Sequence, residues 1–117
     1  METASFFTPG LDWQDRRLVS IARWPPRGWK GRRYKALYPS IYLLTAWKEK
    51  CIGLPKLYEA WYRAETLRCL DAKQVVADLG TDAILLCYEK PGEMCHRRLV
   101  AEWLERATGL LVPELGT

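Results

Sequence analysis

Residues 87–98 read CYEKPGEMCHRR and hold two of the four cysteines and the single histidine of the chain. A thiolate is a nucleophile and a soft metal ligand, an imidazole carries protons or binds metal, and arginines hold anions. Cys95 falls in the first turn of the helix that follows. There the positive end of the helix dipole lowers a thiol's pKa from its free value of about 8.5, and Arg97 and Arg98 add full charges. His96 is the sole histidine available as a general base toward a thiol or a substrate. Adjacent residues on a helix point about 100° apart, so a direct Cys95–His96 pair is awkward and Cys87 is the better partner if the loop folds back over the strand end. Glu89 and Lys90, just after that strand, are placed to orient a substrate or to move its protons.

Each of these residues also has a plainer reading. His96 could bond a loop carbonyl, Cys87 could fill space at the end of a buried strand, and Glu89 and Lys90 could be solvated charges. Cys87, Cys95 and His96 have the chemistry of zinc ligands, but their spacing lacks the C-x-x-C knuckles of structural zinc sites. A fourth ligand would have to come from Cys51, Cys69 or a carboxylate. The sequence therefore assigns no metal and no cofactor.

A second group lies in RWPPRGWKGRRYK, where Arg23, Arg27, Lys30, Arg32, Arg33 and Lys35 occur without an acidic residue. Trp24, Trp29 and Tyr34 interleave with them, as stacking on bases while neutralising phosphates would require. Aromatic side chains in a Pro- and Gly-rich loop also pack such a loop down, and packing is the reading favoured for Trp29. The arginines are assigned more readily to binding an anion.

The elements that must position these groups follow from hydrophobic pattern. Arg17–Trp24 is a short aliphatic segment stopped by Pro25 and Pro26, which reads as a strand. Asp82–Tyr88 is apolar without alternation, the mark of a strand buried on both faces. Between them Leu57, Trp61, Ala64, Leu67 and Cys69 fall near one side of a helix, and Asp71 and Gly80 bracket another as N-cap and stop. Leu99, Val100, Trp103, Leu104 and Ala107 recur at helical spacing, so the spacing predicts a helix over Cys95–Thr108, ended by Gly109. TASFF and GLLVPEL could each add a short strand, the second confined to an edge by Pro113.

Helices between buried strands imply an α/β fold: one small layered domain over residues 1–117, with a mostly parallel sheet and helices on both faces. In such a sheet the loops leaving the C-terminal strand ends share one edge, where ligands bind. TPG after Phe7, the basic loop after Trp24 and the Gly92-containing loop after Tyr88 would converge there as one site. The helix start in the third loop also offers backbone N–H groups to an anion.

With 117 residues, 49% of them hydrophobic and 27% charged, the chain has the composition of a globular domain able to bury a core unaided. It has no apolar run of about 20 residues to span a membrane and no signal-like N-terminus, which points to the cytoplasm. Its irregularly spaced cysteines make no disulfide framework, and a reducing compartment would keep them as thiols.

The same residues resemble a known family, the short form of domain of unknown function 488. The matching stretches are SIARWPPRGWKGRRYKALYPS, Ser20–Ser40, and ILLCYEKPGEMCHRRLVAEWL, Ile84–Leu104. A strand ending in Cys, then Glu-Lys, then Cys-His-Arg opening a helix is the family's pattern, matched by Cys87, Glu89, Lys90, Cys95, His96 and Arg97. Pro25, Pro26, Trp29, Gly31, Tyr34, Pro39 and Ser40 match the first motif, whereas Arg23 and Arg27 rest on charge alone. The resemblance implies an α/β fold and a recurrent Cys-His-Arg site, and no particular reaction.

Three functions are thus expected in order. The first is binding of a nucleotide or nucleic-acid phosphate at the sheet's C-terminal edge, with chemistry through Cys95, His96 and Glu89. Lys90, Arg97, Arg98, Arg27, Arg32, Arg33, Trp29, Tyr34 and Cys87 would bind the ligand. A non-catalytic nucleic-acid module using the basic loop is the alternative, and a thiol-redox or metal-binding protein is the third.

Overall fold

Three strands, three α-helices, a fourth strand and a fourth α-helix follow one another along the chain in a computed structural model that describes residues 1–90 and 93–116. Gly92, placed above in the third loop, lies outside the described residues. The strands are β1 (Glu2–Ser5), β2 (Leu18–Ser20), β3 (Arg32–Arg33) and β4 (Ile84–Cys87), and the helices are α1 (Ile41–Lys48), α2 (Pro55–Glu65), α3 (Ala72–Leu79) and α4 (His96–Thr108). The sheet order is β1-β4-β2-β3, every pairing is parallel, and the fold is α/β.

The apolar run of β4 belongs where burial is greatest, between β1 and β2, in register Thr3–Leu85 and Val19–Leu85. Both faces of β4 are covered. Leu85 points into a core with Leu43, Tyr62, Val75, Leu99 and Leu104 from the helices. Ile84 and Leu86 face a second cluster with Phe6, Leu18 and Trp29, backed by Leu11 and Trp13. Helices thus cover one face, and on the other the cover is aromatic loop side chains rather than the helices expected. The crossovers from β1 to β2 and from β2 to β3 carry Pro9, Gly10, Pro25, Pro26, Gly28 and Gly31, which no helix of useful length tolerates.

Capping agrees with the sequence at three ends. The Asp71 side chain accepts from Lys73 N at the start of α3, and Gly80 and Gly109 end α3 and α4 at positive φ, 89° and 76°. The sequence reading assigns no element to α1, which starts at Ser40, whose hydroxyl accepts from Leu43 N. Beyond α4, the chain pairs beside β1 through a Thr3–Glu114 bridge, an edge position.

The buried face of α2 is a correction. Leu57, Trp61 and Ala64 were expected on its inward side, yet Tyr58 and Tyr62 are the buried residues of α2; Trp61 packs against the core partly buried, while Leu57 and Ala64 are exposed. Tyrosine can bury its ring when its hydroxyl finds a partner, and Tyr62 Oη donates to Leu37 O at 2.6 Å. Cys69, placed on the same stripe, is exposed.

Candidate functional site

Connections leave the C-terminal ends of β4 and β2 in opposite directions, β4 toward the β1 edge through α4 and β2 toward β3. A crevice opens at such a point because neither connection covers it. A cavity of about 270 Å³ occupies it, lined from the β2 end by Ala22, Arg23 and Trp24 and from the β4 end by Cys87, Tyr88 and Glu89. Met94, Cys95 and His96 at the start of α4, with Pro39, Leu44, Trp47, Lys48 and Tyr58, complete it. Two of the three loops expected to converge therefore do so. The TPG loop instead bounds a separate depression, with Thr8 and Pro9 beside Lys90.

Cys95 is the N-cap of α4 with extended backbone, φ −149° and ψ 141°, one residue outside the helix expected to contain it. This overturns the objection to a Cys95–His96 pair, since the 100° offset applies only between helical neighbours. Cys95 Sγ lies 3.9 Å from His96 Nδ1. On the far side of the ring, His96 Nε2 is 2.7 Å from Ile21 O. A carbonyl can only accept, so Nε2 carries the proton, and the neutral ring leaves the Nδ1 lone pair facing the sulfur. Burial pushes the His96 pKa down to about 4, against the Ile21 hydrogen bond, and Arg97 adds to the depression. The ring is neutral at physiological pH.

Cys87 and Cys95 are joined as a disulfide across eight residues, with Cα atoms 7.3 Å apart. The expectation that every cysteine stands as a separate thiol is thereby corrected: the strand end and the helix start meet at the switch point, which brings these two sulfurs together. Cys51 and Cys69 remain free and exposed.

The arginines of the motif face inward. Arg97 is fully buried, its Nη2 donating to Glu114 Oε2 at 2.7 Å and its Nη1 to Cys87 Sγ at 3.1 Å. The motif's full charge therefore bears on Cys87, where the sequence argument placed it on Cys95. Arg98 Nη1 donates to Thr3 Oγ1 and to Val112 O, both at 2.8 Å, and so ties α4 to the β1 edge. Neither arginine lines the cavity; its cations are Arg23, whose Nε donates to Pro39 O at 2.9 Å, and Lys48. Lys48 lies on the unanticipated α1, so no sequence signal pointed to it. Burial raises the Glu89 pKa above the usual carboxylate range, with Glu93 adding to the rise and Arg97 opposing it. Tyr88 Oη donates to Trp24 O and links the two loops at the cavity mouth.

The basic loop is largely committed to packing. Trp29 is 5% exposed, edge-on to Phe6 and Trp13 with ring centroids 5.2 and 5.8 Å away. Its Nε1 donates to Arg32 O. A Cβ on Gly31 would lie 2.5 Å from the Trp29 ring, so glycine is required there for close approach. Tyr34 Oη donates to Asp78 Oδ2 at 2.7 Å, and Arg32 Nη2 to Leu79 O at 3.1 Å. Arg27 and Arg33 are exposed and outside the cavity. Arg32 and Arg33 form the edge strand itself, where exposed charges also discourage pairing with another chain.

A short parallel α/β domain with a cysteine pair, a buried histidine and a buried arginine at its switch point is the class that fold and site define. The family model described as the active DUF488-N3 subclade, DUF488-N3a, matches residues 2–108, and the chain belongs to that family. No curated protein and no solved structure matches the chain.

Proposed function

We propose that the switch-point cavity binds one nucleoside phosphate or a similar planar anion, and that His96, Glu89 and, with its disulfide to Cys87 reduced, Cys95 are the groups that act on it. One observation carries this reading: a single cavity holds Trp24, Trp47, Tyr58 and Tyr88 together with Arg23, Lys48 and Glu89. Aromatic faces accept a base by stacking, worth about 1–3 kcal/mol per base, and the two cations take the phosphate. A volume of about 270 Å³ suits one nucleotide rather than a strand. Glu89, held above the usual carboxylate range by burial, suits proton transfer.

Binding of single-stranded or duplex nucleic acid by the basic loop draws less support, because Trp29, Tyr34 and Arg32 already have partners within the chain. Among the described residues no helix is long and apolar enough to cross a membrane. We place the protein in the cytoplasm, where the two exposed thiols stay reduced and the Cys87–Cys95 bond is open to reduction.

The test is quenching of tryptophan fluorescence by nucleoside mono-, di- and triphosphates, with Trp24→Ala as control. Trp24 is 59% exposed, so its removal spares the core. Saturable quenching by one of them, weakened in the variant, supports the reading. Absence of saturation by any nucleotide at millimolar concentration overturns it.

A further inference from the structure

We propose that Cys87, Cys95 and His96, once the cysteine pair is reduced, form a three-ligand site for a thiophilic divalent cation such as zinc, with the fourth position open to the cavity. The two Sγ atoms and a ring nitrogen of His96 lie within 4.8 Å of one another, all three residues buried. A tetrahedral zinc with bonds of about 2.3 Å to sulfur and about 2.0 Å to nitrogen needs its ligand atoms roughly 3.5–3.8 Å apart. Reduction releases the two sulfurs from their bonded separation and so frees their side chains to turn toward that geometry. The Cys87 and Cys95 Cα atoms, 7.3 Å apart, stand wider than the roughly 4.4–6.8 Å usual for a disulfide. That span admits a cation between two thiolates.

The surroundings are those of a metal centre as well. A ligating histidine needs its other nitrogen anchored, and His96 Nε2–H donates to Ile21 O while Nδ1 faces Cys95 Sγ. A thiolate ligand is steadied by a donor, and Arg97 Nη1 lies 3.1 Å from Cys87 Sγ. The Arg97 charge is cancelled by Glu114 and two thiolates cancel a divalent cation, so the loaded site is neutral. Two sulfurs and an imidazole select a soft cation over magnesium or calcium. The chain spacing without C-x-x-C argues only against a closed structural zinc site; two cysteines and one histidine with an open position are a catalytic set.

Loading takes two steps. A dithiol reductant transfers two electrons and two protons to the Cys87–Cys95 disulfide, giving two thiols and itself becoming a disulfide. The cation then displaces one proton from each thiol and binds both sulfurs and His96 Nδ1. Metal binding and disulfide formation thus exclude each other.

The experiment is titration of the reduced, anaerobic Cys51→Ser/Cys69→Ser protein with Co²⁺ alone, followed by displacement with Zn²⁺. That background removes the exposed thiols. The expected result is one equivalent bound, with a thiolate-to-cobalt charge-transfer band and tetrahedral visible bands, both lost on adding zinc. The same protein oxidised to the disulfide should bind at least tenfold more weakly, a comparison that needs no change at the site, and Cys87→Ser should do likewise. The proposal is overturned if the reduced protein, folded by circular dichroism and titrating as two free thiols, takes up neither metal at micromolar concentration. Equal binding by the oxidised form overturns it too. No nucleotide enters the assay, so its failure leaves the cavity's ligand undecided and the reverse also holds.

Discussion

Arg97 Nη1 stands 3.1 Å from Cys87 Sγ while Nε and Nη2 of the same guanidinium grip Glu114. A single buried cation therefore couples the cysteine at the end of the central strand to the C-terminal segment beside β1. Arg97→Met leaves the Glu114 carboxylate without its main ion partner, and breaking a buried pair in this way costs about 3–5 kcal/mol. Urea denaturation should show a loss of that size. Arg97→Met/Glu114→Gln should recover part of it, since the carboxylate that lost its guanidinium is then neutral.

Acid should act through the same pair. Burial alone would raise the Glu114 pKa, but hydrogen bonds from Arg97 and Thr3 and the charges of Arg97 and Arg98 outweigh it and hold it below the usual value. A carboxyl whose folded pKa is depressed adds stability above its unfolded value and loses it as pH falls through the folded one. The urea midpoint should fall on acidification below the ordinary carboxylate range. In Glu114→Gln that part of the fall should vanish, and an unchanged pH profile would exclude Glu114 as its source.

Gly31→Ala drives a methyl group to 2.5 Å from the Trp29 ring, which is locked between Phe6 and Trp13. Overpacking of this kind costs roughly 1–3 kcal/mol. The expected readout is a lower melting temperature with a shifted near-ultraviolet tryptophan signal. A variant as stable as the parent would show that the aromatic layer gives way easily.

The two families of cations should separate in binding. Lys48→Ala, removing a cavity cation, should weaken nucleotide affinity by roughly tenfold or more, the worth of one charged hydrogen bond. Arg32→Ala/Arg33→Ala, on the edge strand away from the cavity, should leave it unchanged. Isothermal titration with the best-quenching nucleotide distinguishes them, and the opposite ranking would move the phosphate site to the β3 edge.

Local pattern was enough to find β2, β4, α3 and α4, because burial on two faces, proline stops, and Asp and Gly caps are written in consecutive residues. The residues of the Cys-Glu-Lys to Cys-His-Arg stretch were legible in the same way, since unusual side chains cluster there along the chain. What those side chains touch depended on the fold. Arg97 reads as a ligand-binding charge until Glu114, brought beside β1 by α4 and the C-terminal segment, takes it inward. Tyr58 and Tyr62 took the buried places of α2, leaving Leu57 half exposed and Trp61 partly buried against the core, because a buried hydroxyl found the Leu37 carbonyl, a partner 25 residues away that no periodicity reveals. The cavity, too, is a product of topology. It exists because β2 and β4 are neighbours whose connections part in opposite directions, and that adjacency joins residues more than 60 positions apart, beyond the reach of spacing rules.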